Sequence, residues 1–400
     1  MDGLNLDVRV GVFATESLAG ARVATLLLLP QASSLRNLLT LDGNTIAITG
    51  DLAAHTGASP GDVFVANNTI TTGDAVSSGA VMLGALSEGT VEVRDNQVTV
   101  NDSVEILGSN LDGGTLVMSG NTITNTTITP ATVLVQAMGG SCQVTDNEIE
   151  LDDPTTANNS VIVGVCIGAD PSHSFVLTGN DLRATGAPAS TIVVSGSSIG
   201  TLDITDNRLH TGAAIQVQAA GAVIDFSDNT VEERSGGLLL LGNASSQASV
   251  TGNTVVQHDP LEVGLALLGM GAATVTDNTF TGQGTPSGIA TALHVATSGS
   301  AMTVTATGNI FTNYTRALSF QDVAVAAHGI TANVNDNVFD FTIDAAPKVA
   351  TLTNVKDAID ATDNQWGSNT VLATVQGYVT LAGDTVGQGG GILLDPITLP

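Results

Sequence analysis

The stretch Ala273-Thr274-Val275-Thr276-Asp277-Asn278-Thr279-Phe280 decides how this chain folds, because its pattern returns along most of the sequence. Apolar residues stand five and three places before the Asn and two places after it. A Gly, Asp or Asn comes immediately before it. The same arrangement surrounds Asn44, Asn68, Asn96, Asn121, Asn147, Asn180, Asn207, Asn229, Asn253, Asn278, Asn309, Asn337 and Asn364, which are 22 to 33 residues apart. A period of that size marks a solenoid, in which each repeat buries its apolar face only against its neighbours.

Aligning the repeats on the Asn gives three columns of thirteen residues. The column at plus two runs from Ile46 and Ile70 to Phe339 and Trp366. That at minus three runs from Leu41 and Val65 to Val334 and Ala361, and that at minus five from Leu39 and Val63 to Ala332 and Ile359. Every one of the 39 positions is apolar, where a chain that is 42% hydrophobic would place roughly 16 by chance. Positions two apart share one face of a strand. The residue between the columns and the one after them are mostly polar, as at Thr145, Thr178, Thr205, Ser227, Thr251 and Thr307. A half-buried strand therefore runs up to each Asn. The preceding Gly, Asp or Asn tolerates positive φ and turns the chain, and a second strand begins at plus two. A third apolar run follows in each repeat, such as Val133-Leu134-Val135, Ile192-Val193-Val194 or Leu265 to Leu268.

Three strands and three corners in about 27 residues make one coil of a parallel β-helix. The expected class is all-β, a single-stranded right-handed parallel β-helix (β-solenoid) of about 13 coils with terminal caps. Its Asn side chains, Asn121, Asn147, Asn180, Asn207, Asn229, Asn253 and Asn278 among them, are expected to stack in a structural ladder, each amide donating to the next. Turns such as Ser119-Gly120-Asn121-Thr122-Ile123 resemble those of the right-handed parallel β-helix, or pectin-lyase-like, superfamily. The resemblance covers about residues 38 to 372. The segment Asp363-Asn364-Gln365-Trp366-Gly367-Ser368, with the later Leu394-Asp395-Pro396, is similar to the closing segment of many secreted proteins with that fold. On this reading residues 1–37 cap the first coil, 38–372 form the repeats and 373–400 close the other end. Longer coils carry loops at Asp152 to Asn159 and Gly282 to Ser287.

Ten basic residues against 38 acidic ones give a net charge of −28. Repulsion disfavours nucleic acid and anionic membranes as partners. Met1-Asp2-Gly3 is not the basic start of a signal peptide, and Ala24 to Leu29 is too short to span a membrane. The composition fits an extracellular, cell-surface or salt-adapted setting, with other segments of a longer surface protein as possible neighbours. Cys142 and Cys166, about one coil apart, read as two buried thiols on different faces rather than a disulfide.

Family enzymes that cleave polygalacturonate resemble one of two patterns: paired aspartates with Gly-His-Gly and Arg-Ile-Lys segments, or calcium-binding aspartates with a basic proton abstractor. Here Ala327-His328-Gly329 matches two residues of the first segment, and no Arg-Ile-Lys follows. The third strand offers Gln136, Gln216, Gln218, His294 and Gln321-Asp322, a face almost without charge. Arg183, Arg208, His210 and Arg234 follow ladder Asn at outward offsets, near Glu150, Asp181, Glu232 and Glu233. They are read either as a site for an acidic sugar or as a salt-bridged solvent face. The corner carboxylates Asp206, Asp228, Asp336 and Asp363 fall in pairs on successive coils, which either share Ca²⁺ or stand solvated. Ser249-Val250-Thr251, Thr274-Val275-Thr276 and Thr305-Ala306-Thr307 are similar to the Thr-x-Thr ladders of ice-binding β-solenoids. Thr is also a good exposed strand residue. The expectation is a secreted or surface-exposed β-helix acting as a stalk, adhesin-like module or glycan-binding surface without catalysis, its partner a polysaccharide or cell-surface component. A polysaccharide lyase or glycoside hydrolase is the alternative.

Overall fold

The computed structural model describes Val8–Arg9 and residues 37–394, apart from 49, 56–60, 74–78, 86–88, 110–113, 126–130, 152–158, 168–171, 186–189, 198, 234, 259–262, 284–289, 298–299, 323–328, 341–347, 356–357, 368–375, 377–378 and 383–390. Two compact units result: Met1–Asp203 with Asn207–Gly212, and Ile204–Asp206 with Ala213–Pro400. Each is a right-handed parallel β-solenoid with three strands per coil.

In the first unit, the strands before the Asn stack in parallel from Asn37–Asp42 through Gly61–Ala66, Val91–Arg94 and Thr115–Ser119 to Ser141–Thr145 and Ser174–Thr178. Those after the Asn run from Thr45–Ile48 to Arg208–Thr211. A third sheet runs from Leu52–His55 to Thr191–Ser197. The second unit repeats the plan, with sheets beginning at Val223–Ser227, Thr230–Glu233 and Ile215–Ala220. Within each unit the register is set by the columns: Val91 pairs with Leu116 and Val93 with Met118, and Ile224 pairs with Ala248 and Phe226 with Val250. A slip of one residue would turn every such side chain to solvent.

Every residue of the three columns is buried. All thirteen residues before the ladder Asn adopt positive φ, between 53° at Asp95 and 70° at Gly252 and Gly308. That explains the restriction to Gly, Asp and Asn, the types that enter the left-handed region at least cost. In the first unit the Asn Nδ2 of residues 44, 68, 96, 121, 147 and 180 donates to the Oδ1 of the next ladder Asn at 2.9–3.1 Å. In the second unit residues 229, 253, 278, 309 and 337 do the same at 2.8–3.0 Å. The same Oδ1 accepts the backbone N–H of the preceding Asn, and Nδ2 also reaches the carbonyl three places before that Asn, as Asn253 does to Phe226 at 2.8 Å. Each corner is thus filled by one amide that satisfies donors and acceptors which would otherwise be orphaned indoors.

The plus-two column of the second unit ends in an aromatic stack. Phe280, Phe311, Phe339 and Trp366 lie face to face with centroids 4.9, 5.1 and 4.8 Å apart and planes within 10°. Their spacing matches the strand separation, so the coil repeat itself sets stacking geometry. Tyr314 enters the same interior edge-on to Phe311, after the chain turns at Asn313 (φ 63°). Its hydroxyl occupies room left by Gly264, where a Cβ would lie 2.7 Å from it.

At the ends, Val8–Arg9 pairs with Leu39 and Thr40, and Val379–Ala382 and Gly391–Leu393 extend two sheets of the second unit. The remainder of residues 1–36, much of 373–400 and most of the two long loops lie outside the described residues. So does the Cys166 side chain, while Cys142 is fully buried in its inward column.

Candidate functional site

Function on a solenoid is carried by the residues of opposite parity to the core, so each outward face can be built from the strand register. In the first unit Glu148–Leu151, Asp181–Ala184 and Arg208–Thr211 lie side by side. Their outward positions form two columns, Glu148, Asp181, Arg208 and Glu150, Arg183, His210. Arg183 is held by Asp181 through two charge-assisted bonds, Nε to Oδ1 at 3.0 Å and Nη2 to Oδ2 at 2.9 Å, with Glu150 at 3.9 Å. The Asp181 hydrogen bond, followed by the charges of Asp181, Glu150 and Glu148, raises the Arg183 guanidinium above its ordinary value against a smaller opposing effect of burial. Arg208 is exposed beside them and His210 is half-buried. The fold thus brings Arg183, Arg208 and His210 onto one flat face. Arg234 lies outside the described residues.

Asp206, Asp228 and Asp336 are exposed and Asp363 is half-exposed, all with φ of 55–57°. Their residue type serves the corner whether or not an ion binds. Among the described residues, no group of three or more His, Cys, Asp or Glu is placed to hold a metal ion. The hydroxyl array of the second unit is in register, Ser249, Thr274 and Thr305 in one column and Thr251, Thr276 and Thr307 in the next. Part of it is turned on itself, with Thr251 and Thr276 hydroxyls 3.0 Å apart and Ser249 and Thr251 hydroxyls 3.3 Å apart.

On the third sheet of the second unit His294 pairs with Ser319. Burial, and then the charge of Arg316, lowers the His294 imidazole, which favours its neutral form. Its neighbours there, Ala266, Ala292 and Ala317, are small and buried. His328 lies outside the described residues.

One concave site did not emerge from the repeat pattern. On the first sheet of the first unit, Phe64 points outward from Gly61–Ala66, between Thr40 and Glu92 on the adjacent strands. Around it lies a depression of about 220 Å³ whose polar lining includes Asp42, Asn67, Glu92 and Arg94. Arg94 Nε meets Glu92 Oε1 at 3.2 Å, and Asn67 Nδ2 donates to Asp42 Oδ1 at 2.9 Å. The signal was present in the sequence as parity: four places before the Asn the outward residues run Thr40, Phe64, Glu92, Val117, Gln143, Val176, with one aromatic among them.

These features define a parallel β-solenoid with polar, laterally extended outer faces. Comparison with protein-family models, curated proteins and solved structures finds no significant match to the chain.

Proposed function

We propose that this chain is a secreted or cell-surface parallel β-helix, related to the pectin-lyase-like superfamily, that presents a glycan-binding surface and carries out no chemistry. The observation that supports this reading is the Phe64 depression. A pyranose has an apolar C–H face and a rim of hydroxyls. An aromatic floor takes the first, and a few convergent polar groups take the second. Asp42 and Glu92 accept from hydroxyls, while Arg94 and Asn67 donate. With two carboxylates against one guanidinium, a neutral hexose fits better than a uronic acid. The depression has room for about one ring, so affinity for a polymer would come from repeated engagement along it. A parallel β-solenoid suits a stalk or adhesin-like module.

The test is calorimetric titration of the purified protein with neutral oligosaccharides of glucose, galactose and mannose, and with oligogalacturonate for contrast. Binding of a neutral ligand that weakens at least tenfold in Phe64→Ala, with an unchanged melting temperature, is the expected result. No binding to any of the panel, or binding indifferent to Phe64, would sink the reading. The lyase or hydrolase alternative is favoured by a different observation, the in-register column Glu150, Arg183, His210 with Arg208 beside it. It replaces the first reading if polysaccharide incubation releases new ends and His210→Ala or Arg208→Ala abolishes that release.

A further inference from the structure

Arg316 opens the strand Arg316–Asp322 on the third sheet of the second unit, with its backbone N–H bonded to Ala290 O at 2.9 Å. The side chain is half-buried, and its Nε is enclosed with no acceptor among the described residues. Arginines of the first unit are placed differently. Arg183 Nε and Nη2 are taken by Asp181 at 3.0 and 2.9 Å, and Arg94 Nε meets Glu92 at 3.2 Å. Among the described residues no carboxylate holds Arg316 in this way: burial lowers the guanidinium and no acidic group raises it. Such a cation has given up water on its Nε side and gained no counterion in return. Two neighbours make a merely solvated arginine a poor account of it. Lys348 is its register partner on the next strand. The second unit has four basic residues, Arg234, Arg316, Lys348 and Lys356, and two of them share one position on successive coils, where like charges oppose pairing. On the preceding strand Thr291 pairs with Arg316, and His294 follows three residues further along. Among the described residues Arg316 is the one charged group that acts on the His294 imidazole. It adds to burial in holding that ring below its ordinary value, against the Ser319 backbone hydrogen bond. An arginine neutralised by a carboxylate beside it would exert little such effect.

We propose that Arg316 anchors an oxyanion site at the corner where the third sheet of the second unit begins, and that a carboxylate or sulfate group binds there between the register positions of Arg316 and Lys348. The anion reverses the opposition of two like charges at strand spacing. Because Nε is enclosed, the Nη end of the guanidinium meets the ligand, and its two parallel donors suit two oxygens of one group. The site lies in a different unit from the Phe64 depression and does not depend on the glycan reading. Sixteen acidic residues share the unit with it, so the long-range field opposes every anion. Only close contact with the fork holds one, which selects a paired oxyanion over chloride.

His294 is the reporter. An anion on Arg316 cancels the charge that helps to hold the imidazole down, so the His294 pKa should rise as the site fills. The test is titration of the full chain with sodium sulfate in one arm and sodium acetate in another, at an ionic strength held constant with sodium chloride, following the His294 ring resonances by NMR. A saturable shift with at least one of the two anions is expected, and the stronger arm tells whether the site prefers a tetrahedral or a planar group. Arg316→Gln should weaken that binding by roughly tenfold or more, as the loss of charge-assisted bonds implies, and should by itself raise the His294 titration. Lys348→Gln should weaken it as well, and serves if Arg316→Gln fails to fold. Lys356→Gln, which removes one charge from the same unit, should leave it unchanged. No saturable response to either anion, a saturation that survives Arg316→Gln or Lys348→Gln, or a His294 titration unmoved by Arg316→Gln would overturn the proposal.

Discussion

Replacing Asn253 by Ala isolates what one rung of the ladder contributes. Asn253 Oδ1 accepts the Asn229 backbone N–H at 2.8 Å and Asn229 Nδ2 at 3.0 Å. Its Nδ2 donates to Phe226 O at 2.8 Å, Thr251 O at 3.1 Å and Asn278 Oδ1 at 2.8 Å. Truncation leaves some of these groups supplied: Asn229 Nδ2 keeps Ile204 O at 2.8 Å, and Asn278 Oδ1 keeps the Asn253 N–H at 2.9 Å. The Asn229 backbone N–H loses its ladder acceptor in a corner that is 1% exposed. A buried donor left unmade costs about 1–3 kcal/mol, and the lost donation to Phe226 O adds about 1 kcal/mol, so the expected loss is roughly 2–4 kcal/mol. Solenoid stability is a sum of local and nearest-neighbour contributions, so the loss should be local. Hydrogen exchange of the amides in Val223–Ser227 and Thr254–Gln257 should accelerate about 30-fold to several-hundred-fold, while distant coils change little. Asn253→Asp keeps the acceptor and turns the donor into a second acceptor facing Phe226 O and Asn278 Oδ1, so it should be worse than Ala at neutral pH. Unchanged exchange in the alanine variant, or an aspartate variant no worse than alanine, would refute the ladder account.

Three further substitutions probe the corners and the interior. Gly308→Ala and Gly43→Ala both force Ala into positive φ, at about 1–2 kcal/mol. At Gly308 the new Cβ would also lie 2.3 Å from Asp277 Oδ1, whereas at Gly43 nothing lies within 4 Å. Urea melts should therefore show the greater loss at Gly308, and equal losses would mean that the carboxylate moves aside freely. Tyr314→Phe removes a buried hydroxyl that has no hydrogen-bond partner among the described residues, so it should be neutral or stabilising by about 1 kcal/mol. The Tyr314 phenol is raised above its ordinary value of 10.0, so the parent keeps its stability below that pH and loses it as pH rises beyond, a loss Tyr314→Phe should lack in alkaline melts.

The fold was legible because a solenoid writes one constraint many times. A single Val-x-Val before an Asn says little, but Val91 and Val93, Leu116 and Met118, and Ile224 and Phe226 all occupy the same offsets and all prove buried. The positive φ at Asp95, Asp146 or Asp277 was readable for the same reason. Tyr314 was not, since it occurs once and depends on space left in a neighbouring coil at Gly264. Arg183, Arg208 and His210 could be placed on one face from offsets. That Arg183 would be clamped by Asp181 could not, because the choice among three nearby acids is made by rotamer rather than register.

Charge shows why the outer surface says less than the core. The net −28 invites a search for a cation or a basic partner, yet seven aspartates are accounted for by corner geometry. In four cases the reason is visible one coil further on. A Cβ at Gly120, Gly179, Gly252 or Gly308 would lie 2.3–2.6 Å from the Oδ1 of Asp95, Asp146, Asp228 or Asp277. Asp in one coil is thus followed by Gly in the next, which gives the carboxylate room and avoids stacking like charges at strand spacing. Asp206 with Asp228, and Asp336 with Asp363, depart from that alternation and set two corner carboxylates on successive coils. At about 4.8 Å their repulsion is weak in water and screened by salt, so the fold tolerates the pairs without a bound ion. Their departure from the rule makes them the corners at which a calcium titration should be read first.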